Sequence, residues 1–279
     1  MNDFQYLAKK FYNDYGDRLG ESGHLEPTFD SAVSQFHNHQ NSVGFLPLYS
    51  CPGATMEAGG CAMLCYARHG RSRMISVEER LMRNTHILFS YCRKQDVNGL
   101  ADEFVFLMDM AQRQHESKMA REAKDKSSKI YRLMKLRGPL FRFHWSGDFV
   151  HPTHALAVRL ACERRPEVRS WTYTRSFHLL DYLYPPPRNF RLLISLDGVN
   201  EKEALEARRR YPWVGLAHMG NVRLNGFVSC PKDINQGCDV EGACARCGLC
   251  YTSKSGNIHF KIKRYLCQAK TNPLMEVEA

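Results

Sequence analysis

The 279 residues contain no apolar run approaching the roughly 18 to 20 that would span a bilayer. Met1 to Lys10 also lack the apolar stretch of a secretory signal, so the sequence predicts a cytosolic protein with no membrane partner. Internal repeats, low-complexity tracts and long flexible linkers are missing, which argues against a solenoid or a disordered chain. Acidic residues are the scarcer sign: 29 Asp and Glu face 39 Lys and Arg, for a net charge of +10 and a pI near 9.1. That balance favours a polyanionic partner, whether nucleic acid, nucleotide or phosphorylated substrate. No recognised groove-reading motif accompanies it, and no paired carboxylates with a lysine form a nuclease core.

What is present is core-forming composition, 43% hydrophobic with 15 Phe and 13 Tyr, enough for one large or two small domains. Eleven cysteines are the sharper signal. A reducing compartment disfavours disulfides and an odd number cannot pair completely, which leaves metal binding as their use.

A helix is expected from Asp3 to Tyr15, inside an N-terminal segment (residues 1–42) interrupted by Gly20, Gly23 and Pro27. Val43 to Tyr49 reads as a strand delivering the chain to Cys51-Pro52-Gly53. Ser76 and Glu79 form a capping box that opens a helix to about Cys92, and a second helix spans Leu100 to Leu136 with a break near Ser127-Ser128. From Leu140 onward strands alternate with helices. The strands are Leu140–Trp145, Ser170–Thr174, Phe190–Leu196, Trp213–His218 and Gly226–Ser229; the helices are His154–Arg164, Phe177–Leu183 and Asn200–Tyr211, the last capped by Asn200 with Glu203. Such a series predicts an α/β fold, a partial or full parallel β/α barrel over residues 43–229, with an open doubly wound sheet as the alternative. Residues 230–279, rich in cysteine and poor in periodic apolar content, read as a metal-binding C-terminal extension docked on the barrel.

Cys51, Cys61 and Cys65 are spaced C-x9-C-x3-C in the loop after the first expected strand, with Gly53, Gly59 and Gly60 between them. Glycines let such a loop fold round a cluster and turn N–H groups toward sulfur. Three thiolates leave one iron of a [4Fe-4S] cluster open to an outside ligand; a zinc site completed by His69, or unliganded thiols, are the alternatives. Cys230, Cys238, Cys244, Cys247 and Cys250 form a second group, with Cys267 beyond it. Its C-x2-C-x2-C run suits a second [4Fe-4S] cluster, with Cys230 or Cys238 as fourth ligand and zinc as the alternative metal. Cys92 and Cys162, within apolar helical patterns, read as small core residues.

Parallel barrels build their sites at the C-terminal ends of strands. The candidate segments are therefore Ser146-Gly147-Asp148, Thr174-Arg175-Ser176, Ser195-Leu196-Asp197-Gly198 and His218-Met219-Gly220-Asn221, although turns and helix caps use the same residue types.

The three-cysteine loop with Cys61-x3-Cys65-Tyr66, followed by Ser146-Gly147-Asp148, resembles the radical S-adenosylmethionine superfamily. The resemblance implies a [4Fe-4S] cluster on Cys51, Cys61 and Cys65 whose open iron chelates S-adenosylmethionine, with Ser146, Gly147 and Asp148 at the ligand's amino group. Tyr66, Thr174, Ser195 and Asp197 would line the cofactor, and Arg175 with Asp148 would serve the chemistry. A 5′-deoxyadenosyl radical would abstract hydrogen from the substrate, and a reductant protein would supply the electron. The sequence departs from the superfamily at Arg68, where the usual pattern has its third cysteine, and at Asp148, where it has Glu. Leu46 to Gly53, Cys65-Tyr66-Ala67, Ser146 to Phe149 and Tyr173 to Ser176 are more closely similar to the phage family called gene product 88, over about residues 43 to 250. That resemblance implies expression in a bacterial cytoplasm.

Charge is concentrated in Gln112 to Arg137, where nine basic residues face Glu116, Glu122 and Asp125 for a net +6. The segment suits contact with a phosphate backbone, and equally a solvated helix. Arg208 to Arg210 are explained by a helix dipole. The leading expectation is an iron-sulfur, radical S-adenosylmethionine-like enzyme acting on an unidentified substrate, with nucleotides and nucleic acids among the candidates. The alternative is a non-enzymatic nucleic-acid-binding protein stabilised by zinc or iron-sulfur centres.

Overall fold

Phe190 to Leu196 is almost continuously apolar, as expected of a strand covered on both faces. In the computed structural model, which describes residues 3–20, 23–28, 41–57, 60–68, 74–231, 248–252 and 256–261, it lies inside a sheet of six strands. These are β1 (Leu140–Arg142), β2 (Arg169–Thr174), β3 (Phe190–Leu196), β4 (Gly215–Gly220), β5 (Phe227–Ser229) and β6 (Asn257–Lys261). Their order is β1-β2-β3-β4-β6-β5 and every pairing is parallel. The fold is α/β with a parallel sheet. Among the described residues no pairing joins β5 back to β1, so the six strands form an open sheet and a closed barrel is not formed.

Two strands differ from expectation. Val43 to Tyr49 is not a regular strand. Residues 41 to 45 instead run beside β1 through irregular hydrogen bonds, Val43 N–H to the Arg142 carbonyl (3.2 Å) and Trp145 N–H to the Val43 carbonyl (2.7 Å), and Pro47 ends the extended stretch in a turn. Conversely, β6 comes from the segment read as an extension and inserts between β4 and β5, pairing Ile258 with both Ala217 and Val228.

The helices are α1 (Asp3–Tyr15), α2 (Ile75–Lys94), α3 (Val97–Glu122), α4 (Lys129–Arg137), α5 (Pro152–Arg164) and α6 (Glu201–Arg210). The long helix expected to Leu136 is two, broken where Ser128 caps α4 by accepting the Tyr131 N–H at 3.0 Å. Neither expected capping box forms. α2 starts after Met74 with no side-chain cap, and the Asn200 side chain turns away from α6, accepting from Asp197 N–H (2.8 Å) and donating to the Ser195 carbonyl (2.9 Å).

One face of the sheet packs against the helices. Phe141, Leu192, Ile194 and Leu216 join Phe104 and Leu107 of α3 and Ala157, Val158 and Ala161 of α5 in one core. The small residues of α5 let it lie close against α3, and Arg165 clamps the pair through both nitrogens to Asp109. The opposite face carries Leu140, Trp171, Leu193, Ala217 and Ile258, covered by Tyr251 with Leu249 and Cys250 packed beside it. The two sequence-predicted core cysteines, Cys92 and Cys162, are buried.

Candidate functional site

The loop that carries Cys51, Cys61 and Cys65 is held at the strand ends because the chain is tied down on both sides of Cys51. Upstream, the Ser146 hydroxyl donates to the Phe45 carbonyl (2.6 Å), the Phe45 N–H donates to the Ser146 carbonyl (3.0 Å), and the Asp148 N–H donates to the Ser50 carbonyl (2.7 Å). Gly147 makes this approach possible. Its φ is +85°, and a Cβ there would lie 2.6 Å from Ser50 Oγ and 2.9 Å from Phe45 Cβ. Downstream, a Cβ on Gly53 would meet the Arg175 carbonyl oxygen at 2.7 Å, so the cysteine loop rests directly on the end of β2. Arg68 turns back and donates to the Ala62 carbonyl (3.1 Å), closing the loop at Cys61 to Cys65.

Asp148 lies at the centre of this arrangement. Its Oδ1 accepts from Phe149 N–H (2.7 Å) and Thr174 Oγ1 (2.6 Å), and its Oδ2 accepts from Arg175 N–H (2.7 Å). Burial raises its pKa, and those hydrogen bonds oppose the rise. Sequence reading takes this carboxylate as a ligand group; in the fold it joins the end of β1 to the end of β2. Thr174 and Ser176 belong to the same network, the latter donating to the Phe149 carbonyl at 2.7 Å.

Arg175 and Asp197 form a buried ion pair beyond the ends of β2 and β3, and Asp197 also accepts the N–H groups of Val199 (3.0 Å) and Asn200 (3.2 Å). The Arg175 Nε donates to the Gly53 carbonyl at 3.1 Å, and the guanidinium and the Cys61 thiol act on each other's charge. Burial works against the arginine's charge, yet Asp197 and Cys61 hold its pKa above the ordinary value. The sequence marks both residues but gives no sign that they pair. Ser195 offers its carbonyl to Asn200, and Gly147 acts through its backbone.

The thiols interact. Burial raises the pKa of Cys51, and Cys65 and Cys61 add to it; burial likewise raises Cys65, to about 11, with Cys61 next. Cys61 is raised by burial, while Arg175 pulls the other way. Three soft donors that repel one another as thiolates, with a guanidinium beside one, suit a cationic centre that takes up their charge. Among the described residues no three His, Cys, Asp or Glu side chains meet round a single ion. A cluster, whose thiolates sit on separate irons, tolerates wider spacing than one zinc with bonds of about 2.3 Å. Thiolates are soft donors of the kind that iron-sulfur and zinc centres both use.

Tyr66 opens a short 3-10 turn, Tyr66–Arg68, and its side chain lies outside the described residues. His69, Cys238, Cys244, Cys247 and Cys267 lie outside them as well. Of the second group Cys230 and Cys250 are described, half-buried on the sheet face away from the core helices, where both act on the half-buried Tyr173. Burial raises the Tyr173 phenol far above its usual value, and Cys250 adds to this. Tyr173, which the sequence marks only within a family motif, lies near Arg191, which sequence reading leaves unmarked and whose Nη2 donates to the Gly256 carbonyl at 2.8 Å. Their odd-numbered positions on β2 and β3, opposite in face to the core-directed Thr172 and Leu192, are the signal that could have found them.

The chain matches the family described as Gene product 88 over residues 16–253. It is 30% identical over 241 residues to the Gene 88 protein of Mycobacterium phage D29, covering 80% of this chain and 88% of that protein. The Gene 88 protein of Mycobacterium phage L5 is 31% identical over 230 residues, covering 77% of this chain and 84% of the relative. No solved structure matches.

Proposed function

The chain belongs to the gene product 88 family of phage proteins, and from that premise we propose that it is an iron-sulfur enzyme of radical S-adenosylmethionine type, working in the cytoplasm of a bacterial host. The observation that carries this reading is that the loop bearing Cys51, Cys61 and Cys65 is braced on the C-terminal end of the parallel strand β2, beside the Arg175 and Asp197 pair. When bound, a [4Fe-4S] cluster with S-adenosylmethionine at its open iron would supply one-electron reduction and radical initiation. Cys51, Cys61 and Cys65 would hold the cluster, and Arg175 would balance thiolate charge at Cys61. Asp148 positions the cysteine loop against β2. With its carboxylate already accepting from Phe149, Thr174 and Arg175, it is a positioning residue first; a ligand amino group would meet the strand-end backbone of Ser146 and Gly147 and the Ser195 region. Cys230 and Cys250, with cysteines outside the described residues, would hold a second cluster, which would supply electron transfer or a contact to the substrate.

The test is anaerobic purification followed by iron, sulfide and zinc analysis, then electron paramagnetic resonance of the reduced protein with and without S-adenosylmethionine. The expected result is near eight irons per chain and a spectrum altered by the ligand. Stoichiometric zinc without iron sinks the reading. It would favour instead a metal-stabilised protein without catalysis, a reading that the closed hydrogen-bond network round Asp148 also suits.

A further inference from the structure

The basic segment, which the proposed chemistry does not use, has a defined shape. The end of α3 and all of α4 form a helical hairpin held by its own apolar contact, with Met134 buried against Met119, Ile130 and Leu133. The turn between them is fixed by Asp125, which accepts from Ser127 N–H at 2.9 Å, and by the Ser128 cap on α4. This inner seam directs the cations outward. Arg121, Lys124, Lys126, Lys129, Arg132 and Lys135 are all exposed, and none forms an ion pair among the described residues. Arg132 is further oriented by donating to the Ser127 carbonyl at 2.7 Å.

We propose that this hairpin is a docking surface for the phosphodiester backbone of nucleic acid. The chemistry of the surface selects that partner over two others. A protein interface needs an apolar or aromatic centre, and a membrane-surface helix needs an apolar face. The hairpin exposes one large hydrophobic residue, Leu136, among its cations. Lysines and arginines presented on a rigid frame with no groove-reading motif suit phosphate contact without base readout. The surface also lies away from the thiol loop. α4 ends at Arg137 and feeds the start of β1, whereas Ser146-Gly147-Asp148 follows the end of β1. Nucleic acid held here is therefore gripped away from Cys51, Cys61 and Cys65, although the end of α4 reaches the segment of Cys250 through Arg137 beside Tyr251.

The experiment is a fluorescence-anisotropy titration of a labelled random-sequence DNA duplex with the full-length protein at several salt concentrations. Six phosphate contacts predict a slope of log K against log salt of about −5. The variant Lys124→Gln/Lys126→Gln/Lys129→Gln/Arg132→Gln, checked for folding by circular dichroism, should reduce that slope by about 4. A charge-matched control on α6, Lys202→Gln/Arg208→Gln/Arg209→Gln/Arg210→Gln, should leave it nearly unchanged. An unchanged slope in the hairpin variant, an equal loss in the α6 control, or competition by polyglutamate as effective as by DNA would each overturn the proposal. Metal content is read separately, so failure here is distinguishable from failure of the iron-sulfur reading.

Discussion

At the scale of single residues, the site rests on a few atoms with no spare room. Gly147→Ala would force a side chain into a positive φ and against Ser50 Oγ at 2.6 Å. The left-handed conformation costs roughly 1–2 kcal/mol and the overpacking about 1–3. A loss of about 2–5 kcal/mol in urea unfolding is expected, together with lower iron retention because Cys51 loses its brace. Asp148→Asn tests whether the carboxylate braces or binds. The amide must turn an N–H₂ toward Phe149 and Thr174 or toward the Arg175 N–H, leaving a donor unpaired at a cost of about 1–3 kcal/mol. Unfolding measured in protein free of S-adenosylmethionine should show that loss; unchanged stability with weakened ligand binding would instead assign Asp148 to the ligand. Arg175 and Asp197 illustrate what a sequence conceals. Each is legible as polar material at a strand end, but their pairing depends on β2 and β3 lying side by side.

At the scale of elements, the histidines between β1 and α5 make stability depend on pH. His144 Nε2 and His154 Nε2 are 3.2 Å apart, Thr172 Oγ1 bonds His144 Nδ1 at 2.9 Å, and the rings of Phe45, Phe104 and Phe149 enclose the pair. Burial lowers His144 to about 3 and His154 well below its usual value, so both are neutral in the fold. Their pKa values are depressed relative to the unfolded chain. The associated stability is complete above about pH 6.5 and falls as pH drops from there toward 3, by up to about 1.4 kcal/mol per unit for each imidazole. Urea midpoints should fall steeply between pH 7 and 5, and a His144→Gln/His154→Gln double variant should flatten that dependence. Elements built on local signals were legible. α1 has the expected bounds and β3 the expected range, because amphipathic spacing and a continuous apolar run reflect neighbours in sequence. β6 was not, since Asn257 to Lys261 carries only two apolar residues and becomes a strand by slotting between β4 and β5. Removing residues 257–279 should therefore leave a largely insoluble chain, while removing 262–279 keeps the sheet; soluble yield on expression separates the two outcomes.

At the scale of the whole molecule, the parallel sheet has two ends with different characters. The ends where strands finish gather thiols, Asp148 and the Arg175 pair, and the basic hairpin feeds the end where β1 begins. Groups this separated, with no shared partners, should behave additively within about 0.5 kcal/mol. Combining Cys51→Ser with the hairpin substitutions should give a stability loss equal to the two single effects, measurable by denaturant unfolding. The sequence revealed the parallel alternation but not the strand order, which depends on contacts between distant segments. That order has a bearing on how the protein is made. β5 leaves the ribosome before the strand that will hold it, and it stays unattached until Lys261 has been synthesised. Until then β4 presents a bare edge to every other nascent chain nearby, so the interval between Ser229 and Lys261 is when translation speed and chaperone access decide how much of this protein is recovered folded.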